Sequence, residues 1–133
     1  MEGVSYVGHP VIGGSMSAIL FFAEEYPASR QSYLGLFCNC ATVIPLKYMV
    51  NRHRPNGEHN RWDASFPSGH TTFIFTQAYI LSHNYPKATI PLFTFATIVG
   101  FSRIYLKKHY PSDVLAGAAL GIVTGLIATK LVD

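Results

Sequence analysis

Two histidines, three strong cations and one carboxylate in this sequence have the types and the spacing to handle a phosphate. His109 is followed at one helical turn by Asp113, which lets a carboxylate hold one ring nitrogen and leave the other free as a nucleophile. His70 follows Pro67, Ser68 and Gly69 at the expected start of a helix, where it can act as general acid to a leaving oxygen and then as base to water. Lys47, Arg54 and Arg103 come from three different segments. Planar guanidiniums grip phosphate oxygens in pairs and lysine adds a point charge. The backbone N–H groups of a helix that opens with Ser68-Gly69 favour an anion as well. Together these groups form a cradle for a tetrahedral oxyanion.

Taken one at a time, the same residues have plainer readings. A lone lysine or arginine here anchors a helix end to lipid headgroups, and a lone histidine is a hydrogen-bonded structural residue. His9, His53, His59 and His83 lack such company and keep that plainer reading. No metal site is expected: His53 and His59 are not at helix-face spacing, no His-Glu-x-x-His occurs, and three nearby cations would repel a divalent ion.

The elements that must position these groups are apolar. Stretches at Val11 to Ala23, Ser32 to Val50, Thr71 to Leu81, Thr89 to Leu106 and Val114 to Val132 are separated by short segments rich in Pro, Asn, His and charge. They predict an all-α, integral-membrane bundle of about five helices. The second, fourth and fifth have about the 20 residues needed to cross a bilayer. The third carries Thr71, Thr72, Thr76 and Gln77 and is expected inside the bundle, away from lipid. Turn chemistry at Pro27, Arg54-Pro55, Asn56-Gly57, Asn84-Tyr85-Pro86 and Tyr110-Pro111 marks the connections. Threading such helices alternately through a membrane brings Lys47, Arg54, the Ser68-Gly69-His70 segment, Arg103, His109 and Asp113 to one face. Gly117, Gly121 and Gly125 form a smooth strip on the last helix, expected to admit another helix of the same chain rather than a second copy.

Composition agrees. With 133 residues the chain is expected to be a single domain, residues 1–133. Only 13% of residues are charged, while 49% are apolar and 14% aromatic, too little polar material for a fully solvated surface. The net charge of +3 is modest, and without a basic stripe or reading motif no nucleic-acid partner is expected. Most Lys and Arg lie in two clusters, Lys47 to Arg61 and Arg103 to Lys108, which fits an anion site. Cys38 and Cys40 fall on different sides of a helix, so they neither pair nor chelate together. The first apolar stretch, broken by Gly13 and Gly14 and followed by Glu24 and Glu25, lacks the basic start of a cleavable signal.

Set out in order, Lys47 is followed after six residues by Arg54-Pro55. Then come Pro67-Ser68-Gly69-His70, and Ser102-Arg103 followed after five residues by His109 and after three more by Asp113. This resembles the three-part signature of the type 2 phosphatidic acid phosphatase superfamily, which includes lipid phosphate phosphatases, bacterial acid phosphatases and vanadium-dependent haloperoxidases. The motifs span about half of the chain and all spacings agree.

The resemblance implies that Lys47, Arg54 and Arg103 bind phosphoryl oxygens together with Ser68 and the backbone of Gly69. It implies that His70 is general acid and then base, that His109 is phosphorylated, that Asp113 orients it and that Ser102 supports the site. No cofactor is implied, and no obligate protein partner is evident. The expected activity is removal of a terminal phosphate from a membrane lipid. Phosphatidylglycerol phosphate, phosphatidic acid, undecaprenyl diphosphate and the 1-phosphate of lipid A are all open as substrates. The alternative is a non-specific acid phosphatase or a vanadate-dependent oxidant on the same scaffold, whose members are typically longer and more polar.

The chain is near the minimum length for this family, and an N-terminal helix present in many relatives is expected to be absent or shortened. Seven of the ten Lys and Arg fall on the expected catalytic face, which by charge alone would put that face in the cytoplasm. The resemblance implies instead a multi-pass protein of the cytoplasmic (inner) membrane with its site on the extracytoplasmic side.

Overall fold

A computed structural model describes residues 26–132. Four α-helices follow in order: α1 (Tyr26–Val50), α2 (Gly69–Asn84), α3 (Thr89–Tyr105) and α4 (Pro111–Leu131). Short 3-10 turns at Arg61–Asp63 and Pro86–Ala88 lie in the connections, and no strand occurs among the described residues. The expected all-α bundle is therefore observed. Four of the five expected helices are present; the first, Val11 to Ala23, lies outside the described residues.

Each helix starts or stops for a local chemical reason. Ser68 caps α2, its hydroxyl accepting from the Thr71 amide at 3.3 Å. At α4, Pro111 takes the first helical position, where its missing N–H is no loss. The carboxylate of Asp113, two residues on, accepts from the Tyr110 amide at 2.8 Å. Lys107, in the left-handed region at φ 58°, ends α3, and the freed Arg103 carbonyl then accepts from the amides of Lys108 at 3.1 Å and His109 at 3.3 Å.

The expected interior helix is α2: Thr71, Thr72, Thr76 and Gln77 are all buried. Its 16 residues span about 24 Å at the usual rise, short of a hydrocarbon core of about 30 Å. Helices α1 and α4, and α3 together with the 3-10 turn that precedes it (Pro86–Tyr105), each provide an apolar segment long enough to cross a bilayer. The glycine strip of α4 lies against α2, as expected. A Cβ at Gly117 would stand 2.8 Å from the Ser68 carbonyl oxygen, one at Gly121 2.5 Å from that of Thr72, and one at Gly125 2.8 Å from the Tyr79 Cβ.

Polar side chains tie the helices together inside the bundle. Asn39 of α1 donates to the Thr76 hydroxyl at 3.1 Å, and that hydroxyl lies 2.9 Å from the Gly121 carbonyl of α4. Ser32 of α1 donates to Gln77 at 2.9 Å. Such bonds join helices where lipid offers no hydrophobic drive between them. Large apolar side chains point outward instead: Phe37 is 71% exposed and Ile90 80%.

Candidate active site

The helix order delivers the chemistry to one end. The end of α1 carries Lys47; the α1–α2 connection carries Arg52, Arg54, Asp63 and Ser65; the start of α2 carries His70; the end of α3 carries Arg103; and the turn into α4 carries His109 and Asp113. Backbone bonds lock these segments together. The Ser68 amide donates to the Asp113 carbonyl at 3.1 Å, fixing the first turn of α2 against that of α4, and the Asn56 amide donates to the Lys107 carbonyl at 3.1 Å. The Ser65 amide donates to the Arg52 carbonyl at 2.8 Å and closes the connecting loop on itself.

His109 is buried, and its Nδ1 lies 2.7 Å from the Ser65 carbonyl oxygen. A carbonyl only accepts, so the proton sits on Nδ1, and the neutral ring carries its lone pair on Nε2. Nε2 faces the guanidinium of Arg54, whose Nη1 is 3.4 Å away. Burial, then the charges of Lys47 and Arg54, push the His109 pKa far below the ordinary 6.5, against the opposing bond to Ser65. The ring is thus neutral at physiological pH, with an unprotonated nitrogen among cations.

Asp113 differs from its expected role. Its carboxylate is 3.9 Å from His109 Nδ1, too far for a hydrogen bond. It is fully buried and engaged elsewhere: Oδ1 accepts from Arg52 at 2.8 Å, and Oδ2 accepts from the Ser65 hydroxyl and the Tyr110 amide. The ring is held instead by the Ser65 carbonyl, because the capping bond to Tyr110 draws the carboxylate back onto its own helix. Asp113 therefore reaches His109 through Ser65. Arg52 also donates to Ser112 at 2.7 Å, and its guanidinium lies over the rings of Phe66 and Tyr110.

Lys47 is buried and donates to the Ala64 carbonyl at 2.5 Å. Arg54 donates to the carbonyls of Lys108 and Asp63, each at 3.2 Å. Arg103 is buried within electrostatic reach of Arg54 and His109. Its Nε and Nη2 are buried with no hydrogen-bond partner among the described residues. Two unmet guanidinium donors in a buried wall are costly unless an anion takes them.

Ser68 departs from expectation in one respect. Its hydroxyl is used by the cap: it accepts from the Thr71 amide at 3.3 Å and shares a second hydrogen bond with the Thr71 hydroxyl at 2.9 Å, so its proton is available to an anion when Thr71 is the donor. Gly69 is the first helical residue, and its amide is among those a helix leaves without an internal partner. His70, one residue on, is half-buried. The Ser102 hydroxyl donates to the Val99 carbonyl at 2.6 Å and makes its bond within α3. His53 and His59 stack with ring centroids 3.8 Å apart. Sequence reasoning missed Ser65 and Arg52 as site residues: Ser65 acts partly through its backbone, and nothing in its spacing sets Arg52 apart from the other cations of the loop.

The chain is similar to known proteins. The profile of the PAP2 superfamily matches residues 30–133. Lipid A 1-phosphatase of Porphyromonas gingivalis is 40% identical over 104 residues, covering 75% of this chain and 23% of that protein. Decaprenylphosphoryl-5-phosphoribose phosphatase of Mycobacterium tuberculosis is 33% identical, covering 98% of this chain and 77% of that one. The crystal structure of Aquifex aeolicus LpxE superimposes with a TM-score of 0.83 and 31% identity, over 97% of this chain and 82% of that one. The chain thus spans less than a quarter of the first relative and more than three quarters of the other two.

Proposed function

The chain belongs to the PAP2 superfamily and is a membrane protein, and from that premise we propose that it hydrolyses a terminal phosphate from a membrane lipid through a phosphohistidine on His109. The observation that carries this reading is the buried His109 ring, with Nδ1 2.7 Å from the Ser65 carbonyl oxygen and Nε2 3.4 Å from the Arg54 guanidinium, within electrostatic reach of Lys47 and Arg103. The named activities of the relatives support it, since two of them remove phosphate from lipid-linked substrates.

In the first step Nε2 attacks phosphorus, the bond from phosphorus to the lipid oxygen breaks, and His70 gives that oxygen a proton. Lys47, Arg54, Arg103 and the Gly69 amide hold the equatorial oxygens as their charge spreads, which is where phosphoryl transfer gains most of its rate. The phosphorylated ring keeps its Nδ1 proton on Ser65 and gains positive character, which the Asp113 carboxylate at 3.9 Å offsets. In the second step His70 takes a proton from water, the hydroxide attacks phosphorus, and inorganic phosphate leaves with His109 neutral again. Arg52 and Ser65 are positioning residues: they hold Asp113, and Ser65 also holds the ring.

A lipid substrate is supported by the three segments long and apolar enough to span a bilayer, since a cradle at the end of such segments would let a headgroup phosphate enter while its chains stay in the bilayer. The protein resides in the cytoplasmic membrane with this face on the extracytoplasmic side, a placement supported by the family resemblance. The test is phosphate release by purified protein from lipid A 1-phosphate, undecaprenyl diphosphate, phosphatidylglycerol phosphate and phosphatidic acid, with EDTA and with millimolar vanadate. Turnover of at least one lipid, unaffected by EDTA and blocked by vanadate, is expected. Turnover of none, or rescue of a chelated enzyme by a divalent ion, contradicts the reading.

A further inference from the structure

Asp63 ends the 3-10 turn Arg61–Asp63 and already places an anion in the cradle. Its Oδ1 lies 3.4 Å from Lys47 Nζ and its Oδ2 3.3 Å from Arg54 Nη2. The two carboxylate oxygens are thus divided between two cations, as two oxygens of a phosphoryl group would be. The cations are the fixed partners. The side chain of Lys47 is 3% exposed and bound to the Ala64 carbonyl, and that of Arg54 is 11% exposed and bound to two carbonyls. The Asp63 side chain is 37% exposed. Its backbone is held apart from the carboxylate, the amide donating to the Asn60 carbonyl at 2.9 Å and the carbonyl accepting from Arg54 at 3.2 Å, so the carboxylate can rotate toward water while the turn and the cations stay in place.

We propose, resting on the phosphatase reading above, that Asp63 is a resident counter-anion of the phosphate cradle, one that substrate and product must both displace. It satisfies Lys47 and Arg54 when no phosphate is bound and leaves Arg103, with its unmet donors, as the cation that first meets an arriving phosphate. Every ligand of the cradle displaces the same carboxylate. Its cost is therefore equal for ground state and transition state, which alters affinity and leaves the chemical step alone. The same factor leaves inorganic phosphate, which has only the cradle to hold it, weakly bound, whereas a lipid keeps the additional affinity of its apolar contacts. Asp63 thereby favours release of the product.

The experiment measures inorganic phosphate and vanadate affinity by calorimetry on the full chain in detergent, wild type against Asp63→Asn, with kcat and KM on a lipid phosphate. A competing anion that is one-third exposed has a modest effect, so the expected result is an affinity for phosphate about tenfold tighter in Asp63→Asn, with KM lowered in parallel and kcat unchanged. Asp63→Ser removes the same charge with a smaller side chain and is expected to agree. Glu58→Gln, which removes a charge from the Lys108 pair outside the cradle, is expected to shift phosphate affinity by less than twofold.

Weaker phosphate binding in both Asp63 variants would mean that the carboxylate only organises the cations, and lower kcat at unchanged affinity would mean a catalytic role; either overturns the proposal. So would an equal gain from Glu58→Gln, which would reduce the effect to bulk charge. Because calorimetry needs no turnover, tighter phosphate binding in a protein that hydrolyses no lipid would sink the functional reading and leave the assignment of Asp63 standing.

Discussion

A neutral imidazole among cations ties the reaction to the stability of the fold. In the unfolded chain His109 takes a proton near its ordinary 6.5, whereas in the native chain burial and then Lys47 and Arg54 hold it unprotonated to far lower pH. Between those limits the unfolded state binds more protons, so stability rises with pH and is lost as pH falls below about 6.5. One unit below that point the cost from this residue is about 1.4 kcal/mol. Thermal unfolding in detergent is expected to move to lower temperature between pH 7.5 and 5.5, and His109→Gln is expected to flatten that dependence. An unchanged slope in the variant would mean that His109 is protonated in the folded protein. That His109 and Asp113 lie near one another was legible in the sequence because both fall in one short turn, although the expected direct bond between them is not formed. That the ring is held by a backbone carbonyl was not legible, since any residue at position 65 would supply one.

At the scale of elements, the four described helices follow the apolar stretches, and the differences lie at their polar ends. Helix α1 begins at Tyr26, ahead of the expected Ser32, because Ser29, Gln31 and Ser32 are buried and usefully bonded. Gln31 donates to the Val132 carbonyl at 2.5 Å, and Ser32 to Gln77. Helix α2 runs to Asn84, past the expected Leu81, where Asn84 donates to both Gln31 and the Ile80 carbonyl. A polar run read as a connection is helix here because a neighbouring helix supplies its partners. The glycine strip, by contrast, was legible, since small residues at four-residue spacing have one main use. Gly121→Ala would set a Cβ 2.5 Å from the Thr72 carbonyl and 3.1 Å from the Thr76 amide, neither of which yields cheaply. It is expected to lower stability by about 1–3 kcal/mol in detergent. Gly100→Ala meets a side chain rather than backbone, Val114 Cγ1 at 3.0 Å, with its next neighbour at 3.7 Å, and is expected to cost less. Equal losses would contradict the packing described.

The whole molecule is arranged for lipid on its flanks and for water and phosphate at one end. Phe37 on α1, Ile98 and Phe101 on α3 and Leu115 on α4 are exposed along the sides. Tyr48, Trp62, Tyr105 and Tyr110 are exposed near the end that holds the cradle, where amphipathic rings suit a membrane interface. Convergence of Lys47, Arg54, Arg103 and His109 on that end followed from helix count alone, whereas the Asp63 carboxylate between two of them depends on a loop path that no periodicity encodes. The account rests most heavily on a covalent phosphate at His109. His70→Ala, supplied with an activated aryl phosphate whose leaving group needs no proton, is expected to phosphorylate His109 and then stall, because water is no longer activated. Rapid quench and mass spectrometry of that variant should find acid-labile phosphate on His109. Its absence there, or its presence on His70 in the wild type, would contradict the account.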